Sequence, residues 1–95
     1  MPIQENKKDV YYLDSKYCTA EMQYYPDVKT WCVSFTHRDY EEISNKFYKN
    51  FQESLNDFIE IIEDYEDYIN LLLINNIEYY YDEDEKEFIK IKEAF

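Results

Sequence analysis

The spacing of apolar residues changes once along this chain, and that change divides it into two regions of different secondary structure. Up to Thr36, apolar residues alternate with polar ones, which is typical of strands that bury one face. Beyond Thr36, apolar residues recur at about 100° per residue, the spacing of an amphipathic helix. The sequence therefore predicts an α+β domain in which a small sheet comes first and a helical region follows.

The alternating region predicts a three-stranded antiparallel meander over residues 10–36. Even-numbered positions are apolar in 18–24, and the odd-numbered positions 31, 33 and 35 are apolar in 29–35. A shorter strand over 10–13 precedes them and connects through a turn at 14–15.

The second hairpin of the meander also predicts where the two cysteines point. Centring its turn on residues 26–27 pairs Met22 with Trp31 and puts every apolar side chain on one face. Cys18 then faces the core and Cys32 the opposite face. We therefore expect two reduced thiols with no disulfide between them.

The helical spacing predicts a helical region over 39–74, either one long helix or two consecutive helices. Thr36 and Asp39 are candidate N-caps. Residues 75–76 are both Asn, which tolerates the left-handed conformation and so provides a stop at the C-terminal end.

The two ends of the chain complete the predicted domain. Residues 77–95 are expected to form a β-hairpin around an acidic turn, with a helix over 86–95 as the alternative. Residues 1–8 are polar and are expected to be flexible. We thus predict a single domain, residues 1–95, in which an antiparallel sheet packs on amphipathic helix.

The negative charge of the chain is confined to one segment. Residues 50–85 contain twelve acids and no Lys or Arg, while the rest of the chain balances ten acids with ten bases, so the whole formal charge of −12 belongs to this segment. A solvated helix face usually pairs Glu with Lys, which stabilises it by about 0.2–0.5 kcal/mol per pair. Here the neighbouring charges repel. We therefore predict a surface for a positively charged partner, with a purely solvated face as the alternative.

The predicted partner-binding surface combines acids of the helical region with residues of the C-terminal hairpin. On a helical wheel the helical acids lie opposite the apolar stripe, in a row that rises about 21 Å at about 1.5 Å per residue. Adjacent carboxylates are then roughly 5–6 Å apart, comparable to successive phosphates of a nucleic acid strand. The predicted residues are Glu53, Asp57, Glu60, Glu63, Asp64, Asp67, Glu78, Tyr80, Asp82, Glu83, Asp84 and Glu85.

The composition excludes several kinds of active site. Glycine is absent, which excludes the glycine-dependent phosphate loops, the dinucleotide fingerprint, the nucleophile elbow and the Ca²⁺-binding loop of EF-hands. His37, the only histidine, has no nucleophile or orienting carboxylate assigned to it, and we expect it at a helix terminus rather than as a general base. The sequence therefore predicts no enzyme, no cofactor and no bound metal.

The same charge distribution bears on partners and location. The chain has no window of about 18 apolar residues and no apolar run at its N-terminus, so we expect neither a membrane span nor a secretory signal. Acidic side chains are repelled by anionic lipid and by phosphates, so direct contact with membranes or nucleic acids is not expected. The predicted location is the cytoplasm, and the predicted partner is a basic nucleic-acid-binding protein.

In composition and charge layout, over roughly residues 50–87, the chain resembles small acidic phage-encoded inhibitors of host defence, which include anti-CRISPR proteins and other DNA mimics. No diagnostic motif is shared, so no residue roles are carried over. The resemblance implies a non-enzymatic inhibitor, acting in the host bacterial cytoplasm, that occupies the nucleic-acid channel of a nuclease such as a CRISPR-Cas effector. The alternatives are an immunity or antitoxin protein that neutralises a basic nuclease toxin, and a small regulatory homodimer.

Overall fold

The computed structural model describes residues 5, 7–75, 77–82, 84 and 87–93, with side chains for all of these except 42, 80–82 and 87–93. The described residues form seven strands, one α-helix and one 3₁₀ turn. In chain order these are β1 (Tyr11–Ser15), β2 (Cys18–Tyr25), β3 (Thr30–His37), β4 (Glu42–Tyr48), α1 (Phe51–Tyr65), the 3₁₀ turn (Glu66–Tyr68), β5 (Ile69–Ile74), β6 (Ile77–Asp82) and β7 (Glu87–Glu93).

All seven strands belong to one antiparallel sheet with the order β4-β3-β2-β1-β5-β6-β7. The first four strands form one meander and the last three form another, and β1 pairs with β5 where the two meet. Helix α1 connects β4, at one edge, to β5 in the middle, and it crosses one face of the sheet to do so. The opposite face of the sheet carries no helix among the described residues.

The α+β class is confirmed, but the predicted helical region over 39–74 is wrong for much of its length. Strands β4 and β5 occupy its two ends, and only Phe51–Tyr65 is α-helical. In β4 the apolar residues Ile43 and Phe47 are four positions apart, a spacing that a strand face and a helix face share. In β5 the last four residues, 71–74, are all apolar, and periodicity cannot distinguish a strand from a helix over such a run.

The predicted N-caps of the helix are also wrong, because the segment that follows residue 36 contains a strand before the helix begins. Strand β3 continues through Thr36, and Asp39 lies in the turn before β4, so neither residue is an N-cap. The N-cap is Asn50, whose side-chain oxygen accepts from the backbone N–H of Gln52 at 2.7 Å and of Glu53 at 3.3 Å.

For the hairpin between β2 and β3, the prediction of which side chains face the core is correct, but the predicted register is wrong. Met22 pairs with Val33 rather than with Trp31, because the loop has four residues and Lys29 takes a φ of 50°. A shift of two residues preserves the face of every side chain. Cys18 is accordingly buried in the core, Cys32 points to the opposite face, and both are free thiols.

The remaining expectations, for turns and for the two ends of the chain, have mixed outcomes. The β1–β2 turn lies two residues later than predicted, at residues 16–17, where Ser15 Oγ accepts from the backbone N–H groups of Tyr17 and Cys18. The C-terminal hairpin is confirmed as β6 and β7. Asn75 is left-handed, with a φ of 52°, but it turns β5 into β6 rather than ending a helix. The predicted flexible N-terminus falls largely outside the described residues.

The hydrophobic core lies between α1 and the central strands. Tyr11 and Trp31 of the sheet meet edge to face, with ring centroids 6.3 Å apart. Phe58 of α1 packs edge to face on Tyr11 at 6.5 Å, and Phe51 tilts against Trp31 at 5.1 Å. Leu55 joins them, and all of these except the half-buried Phe51 are at most 5% exposed. Each aromatic pair adds roughly 0.5–1.5 kcal/mol beyond the area it buries.

Replacing the N-cap should weaken the whole domain, because α1 supplies one side of its core. We expect Asn50→Ala to lower the free energy of unfolding by about 1 kcal/mol and Asn50→Asp to preserve most of it. Urea unfolding followed by circular dichroism measures the difference. Asn56→Ala is the control, since Asn56 is exposed on α1 and accepts only from Gln52 Nε2, at 2.9 Å. An equal loss in the two Ala variants would contradict the capping role.

Candidate functional site

One side of α1 is buried and the other is a line of exposed carboxylates. Ser54, Leu55, Phe58 and Ile62 are buried against the sheet. The exposed carboxylates on the solvent side, which we call the acidic ridge, are Glu53, Glu60, Glu63 and Asp64. From first to last they span about 17 Å along the helix axis at about 1.5 Å per residue.

No base compensates the acidic ridge. None of its carboxylates forms an ion pair with a described residue, whereas Asp14 elsewhere in the sheet pairs with Arg38. The last turn of α1 has no Lys or Arg to balance the negative end of the helix dipole. Glu63 and Asp64, in this last turn, therefore lie where negative charge is least favourable for helix stability.

Asp57 belongs to the predicted row but has a different role. It is half-buried on the flank of α1, and its Oδ2 accepts a hydrogen bond of 2.8 Å from the hydroxyl of Tyr48 on β4. Burial, followed by this hydrogen bond and the negative charges of Asp57, Glu53 and Glu60, raises the pKa of Tyr48 to about 12. Asp57 thus attaches the helix to the edge of the sheet, and it is less accessible to a partner than the acidic ridge.

The structure separates the remaining predicted acids from the acidic ridge. Asp67 is exposed, but it lies in the 3₁₀ turn beyond the end of α1. Glu78 pairs with Leu73 and precedes the buried Tyr79, so it lies on the face of the sheet opposite α1, where it is half-buried. The predicted surface is therefore two groups of acids rather than one.

The predicted residues at the tip of the C-terminal hairpin are only partly placed. Tyr80 and Asp82 belong to β6, paired with Ile89 and Glu87, but their side chains are not described. Asp84 is exposed in the turn. The predicted Glu83 and Glu85 lie outside the described residues.

The sequence did not identify a lysine that borders the acidic ridge. Lys46 of β4 lines a cavity of about 160 Å³ between α1 and the sheet, together with Asp57 and Asp64. The cavity is smaller than the roughly 300–1,000 Å³ of a small-molecule site. Predicting it would have required recognising β4 as a strand, since only the strand brings Lys46 beside the helix.

A larger cavity, of about 500 Å³, lies beside the start of β1. Its charged lining mixes Lys7 and Lys8 with Asp9 and Glu21. The lining contains neither a histidine nor a cysteine.

His37 is not at a helix terminus, because β4 rather than a helix follows it. It ends β3, and its ring packs on Tyr40 with centroids 4.7 Å apart. Its buried Nδ1 has no hydrogen-bond partner among the described residues. No cluster of three or more metal-ligating side chains exists in the part of the chain that the structure describes.

Comparison with known proteins assigns neither a family nor a function to this chain. No protein-family model matches the chain, and neither a curated protein nor a solved structure matches it significantly. None of the described helices has the length and apolar character needed to cross a bilayer.

Removing the Tyr48 hydroxyl should reveal how firmly α1 is held. We expect Tyr48→Phe to lower the free energy of unfolding by about 1 kcal/mol near neutral pH, because Asp57 loses its buried partner. The raised pKa favours the neutral phenol in the folded state. The stabilisation is therefore complete below the ordinary value of 10 and is lost as the pH rises towards about 12.

Urea unfolding as a function of alkaline pH measures this effect as the difference between wild type and Tyr48→Phe. The difference should shrink as the pH rises. The matched control is Tyr25→Phe, since Tyr25 is 41% exposed and its hydroxyl donates to Gln23 on the surface. If the two variants lose stability equally at every pH, the Tyr48–Asp57 hydrogen bond does not have this role.

Proposed function

We propose that this protein is a non-enzymatic inhibitor whose acidic ridge occupies the basic nucleic-acid-binding channel of a nuclease, such as a bacterial defence effector. The observation that carries the proposal is the ridge itself: four exposed carboxylates on one helix, with no base among residues 50–85. A domain that balances charge elsewhere but tolerates repulsion here has a surface suited to a cationic partner.

Rigidity supports the proposal. Helix α1 is capped by Asn50, buried along its inner side and hydrogen-bonded to β4 through Asp57. Its outer carboxylates are therefore held in position before binding, so less conformational entropy is lost when a partner engages them. A flexible acidic tail would have the same charge but would lose more entropy on binding.

The spacing of charge supports it further. Glu60 is three residues from Glu63 and four from Asp64, so these carboxylates are roughly 5–6 Å apart, and a channel lined with Lys and Arg for phosphates can contact them in the same way. Glu53 extends the ridge by about two further turns towards the start of α1. RNA-guided effectors hold their heteroduplex in such a positively charged channel. Attraction between the opposite fields would speed association, and the complex would weaken as salt rises.

The first experiment identifies the partner. The protein, immobilised at low salt, is exposed to a bacterial lysate and eluted with a salt gradient. We expect a nucleic-acid-binding enzyme with a basic channel to elute late in the gradient, and added DNA to compete with the immobilised protein for it. The identity of that enzyme also distinguishes a defence nuclease from a toxin nuclease.

The second experiment tests the acidic ridge with the captured enzyme. The variant Glu60→Lys/Glu63→Lys/Asp64→Lys should weaken inhibition of DNA cleavage by about a hundredfold or more, because three attractive contacts become repulsive. The domain should remain folded, since positive charge in the last turn of a helix is favourable. Thermal unfolding by circular dichroism verifies this.

The matched control reverses three exposed acids away from α1, as Glu21→Lys/Asp27→Lys/Asp39→Lys. Both variants change the formal charge of −12 by the same amount, so they differ only in where the charge lies. The control should inhibit nearly as well as wild type. Full inhibition by the ridge variant, or equal losses in both variants, would show that the acidic ridge is not the binding surface.

A further inference from the structure

Strand β4 is an edge of the sheet, and it exposes large apolar side chains on the face opposite α1. Ile43 is 69% exposed and Phe47 is 64% exposed. Beside Phe47, Val28 is 59% exposed and Tyr25 is 41% exposed, and the three line a depression of about 430 Å³. Edge strands present unpaired backbone donors and acceptors, and natural proteins rarely leave such an edge apolar without a partner.

The residues of this strand and its flanks are symmetric in chemistry about Asn45. On the open face an apolar, a polar and an apolar residue follow one another: Ile43, Asn45 and Phe47. An acid, Glu41, in the left-handed turn before the strand, and a base, Lys49, after it, flank the two ends. These two flanking residues lie one residue beyond each end of β4.

We propose that β4 pairs antiparallel with β4 of a second copy of this chain, about a twofold axis through Asn45. In this register Ile43 lies opposite Phe47 of the second copy, and Glu41 lies opposite Lys49 of the second copy. Each of these contacts occurs twice, because a twofold interface repeats every contact. The proposal does not rest on the proposed function of the acidic ridge.

Geometry selects this register over its neighbours. A twofold axis normal to the sheet puts the same face of both copies on one side of the joined sheet. The partner of each residue can therefore change only by two positions at a time, because a shift of one would pair side chains that point to opposite faces. A shift of two positions in either direction places an apolar residue opposite Asn45 and leaves Glu41 or Lys49 opposite an apolar residue. Only the register centred on Asn45 matches apolar with apolar and acid with base.

The helix side of the junction is also compatible with the pairing. Lys46 lies opposite Ser44 of the second copy, so no like-charged pair forms there, and Asp57 and Asp64 of its own helix line the same cavity as Lys46. Both copies then carry α1 on the same face of one continuous sheet. The net charge of −12 opposes association, so the matched charges along β4 have to outweigh this repulsion.

Charge reversal at the two flanking positions tests the register. Glu41→Lys alone and Lys49→Glu alone each create two like-charged pairs, and each should raise the dissociation constant of the dimer about tenfold or more. The double variant Glu41→Lys/Lys49→Glu should bind as wild type does. An equimolar mixture of the two single variants should also dimerise at wild-type strength, because every pair across the mixed junction is again opposite in sign.

Sedimentation equilibrium of the purified full chain measures these constants, and circular dichroism verifies that each variant is folded. Lys49 also donates to Thr30 Oγ1 of its own chain at 3.1 Å, and rescue in the mixture separates that internal contact from the pairing. Lys16→Glu is the control for Lys49→Glu, since it makes the same charge change at a residue in the β1–β2 turn, away from β4.

Each outcome supports or overturns the proposal. Weakening by both single variants, with rescue in the mixture and no effect of Lys16→Glu, supports it. A wild-type chain that stays monomeric at the highest attainable concentration overturns it. So does a dimer that the single variants leave unchanged, or one that they weaken without rescue in the mixture.

Discussion

The packing of α1 on the aromatic residues of β1 and β3 is the contact on which the rest of the structure depends. Tyr11 and Trp31 form a platform in the sheet, and Phe51 and Phe58 of the helix rest on it with centroids 5.1–6.5 Å apart. Because this contact decides which side of the helix is inside, it also decides which carboxylates face solvent. It places the connection between the two meanders over one face, and no helix of the described part of the chain covers the opposite face.

The same contact explains how the domain tolerates its charge. Burial of Leu55, Phe58 and Ile62 stabilises the fold by about 1.5–3 kcal/mol for each side chain. Repulsion between neighbouring carboxylates on α1 costs about 0.2–0.5 kcal/mol per pair. The apolar term is larger, so a helix can carry the acidic ridge without melting. The charge thus stays exposed on α1, and the proposed partner surface on the ridge and the proposed dimer contact at β4 use separate parts of the molecule.

The local pattern of apolar and polar residues was sufficient to predict a strand wherever one face of that strand packs against the core. The alternation in 18–24 and 29–35 predicted two strands and the orientation of Cys18 and Cys32, and the acidic turn of the C-terminal hairpin was also recognisable. Pattern was not sufficient for the register of the β2–β3 hairpin, which a left-handed Lys29 shifts by two residues. It was also not sufficient for the predicted row of acids, because a helical wheel does not show which flank of the helix reaches Tyr48.

Composition and charge order are properties of the chain alone, and they already required an acidic segment without bases and a core rich in aromatic residues. They could not decide that residues 42–48 and 69–74 are strands, because the four-residue apolar spacing in the first also fits a helix and the apolar run in the second shows no alternation. Residues 69–74 become a strand by pairing with β1, which is distant in sequence, and residues 42–48 by pairing with β3, which precedes them in a hairpin. Hydrogen bonds across the sheet, rather than local preference, therefore shorten the helix, turn Asp57 inward and create the exposed edge at β4.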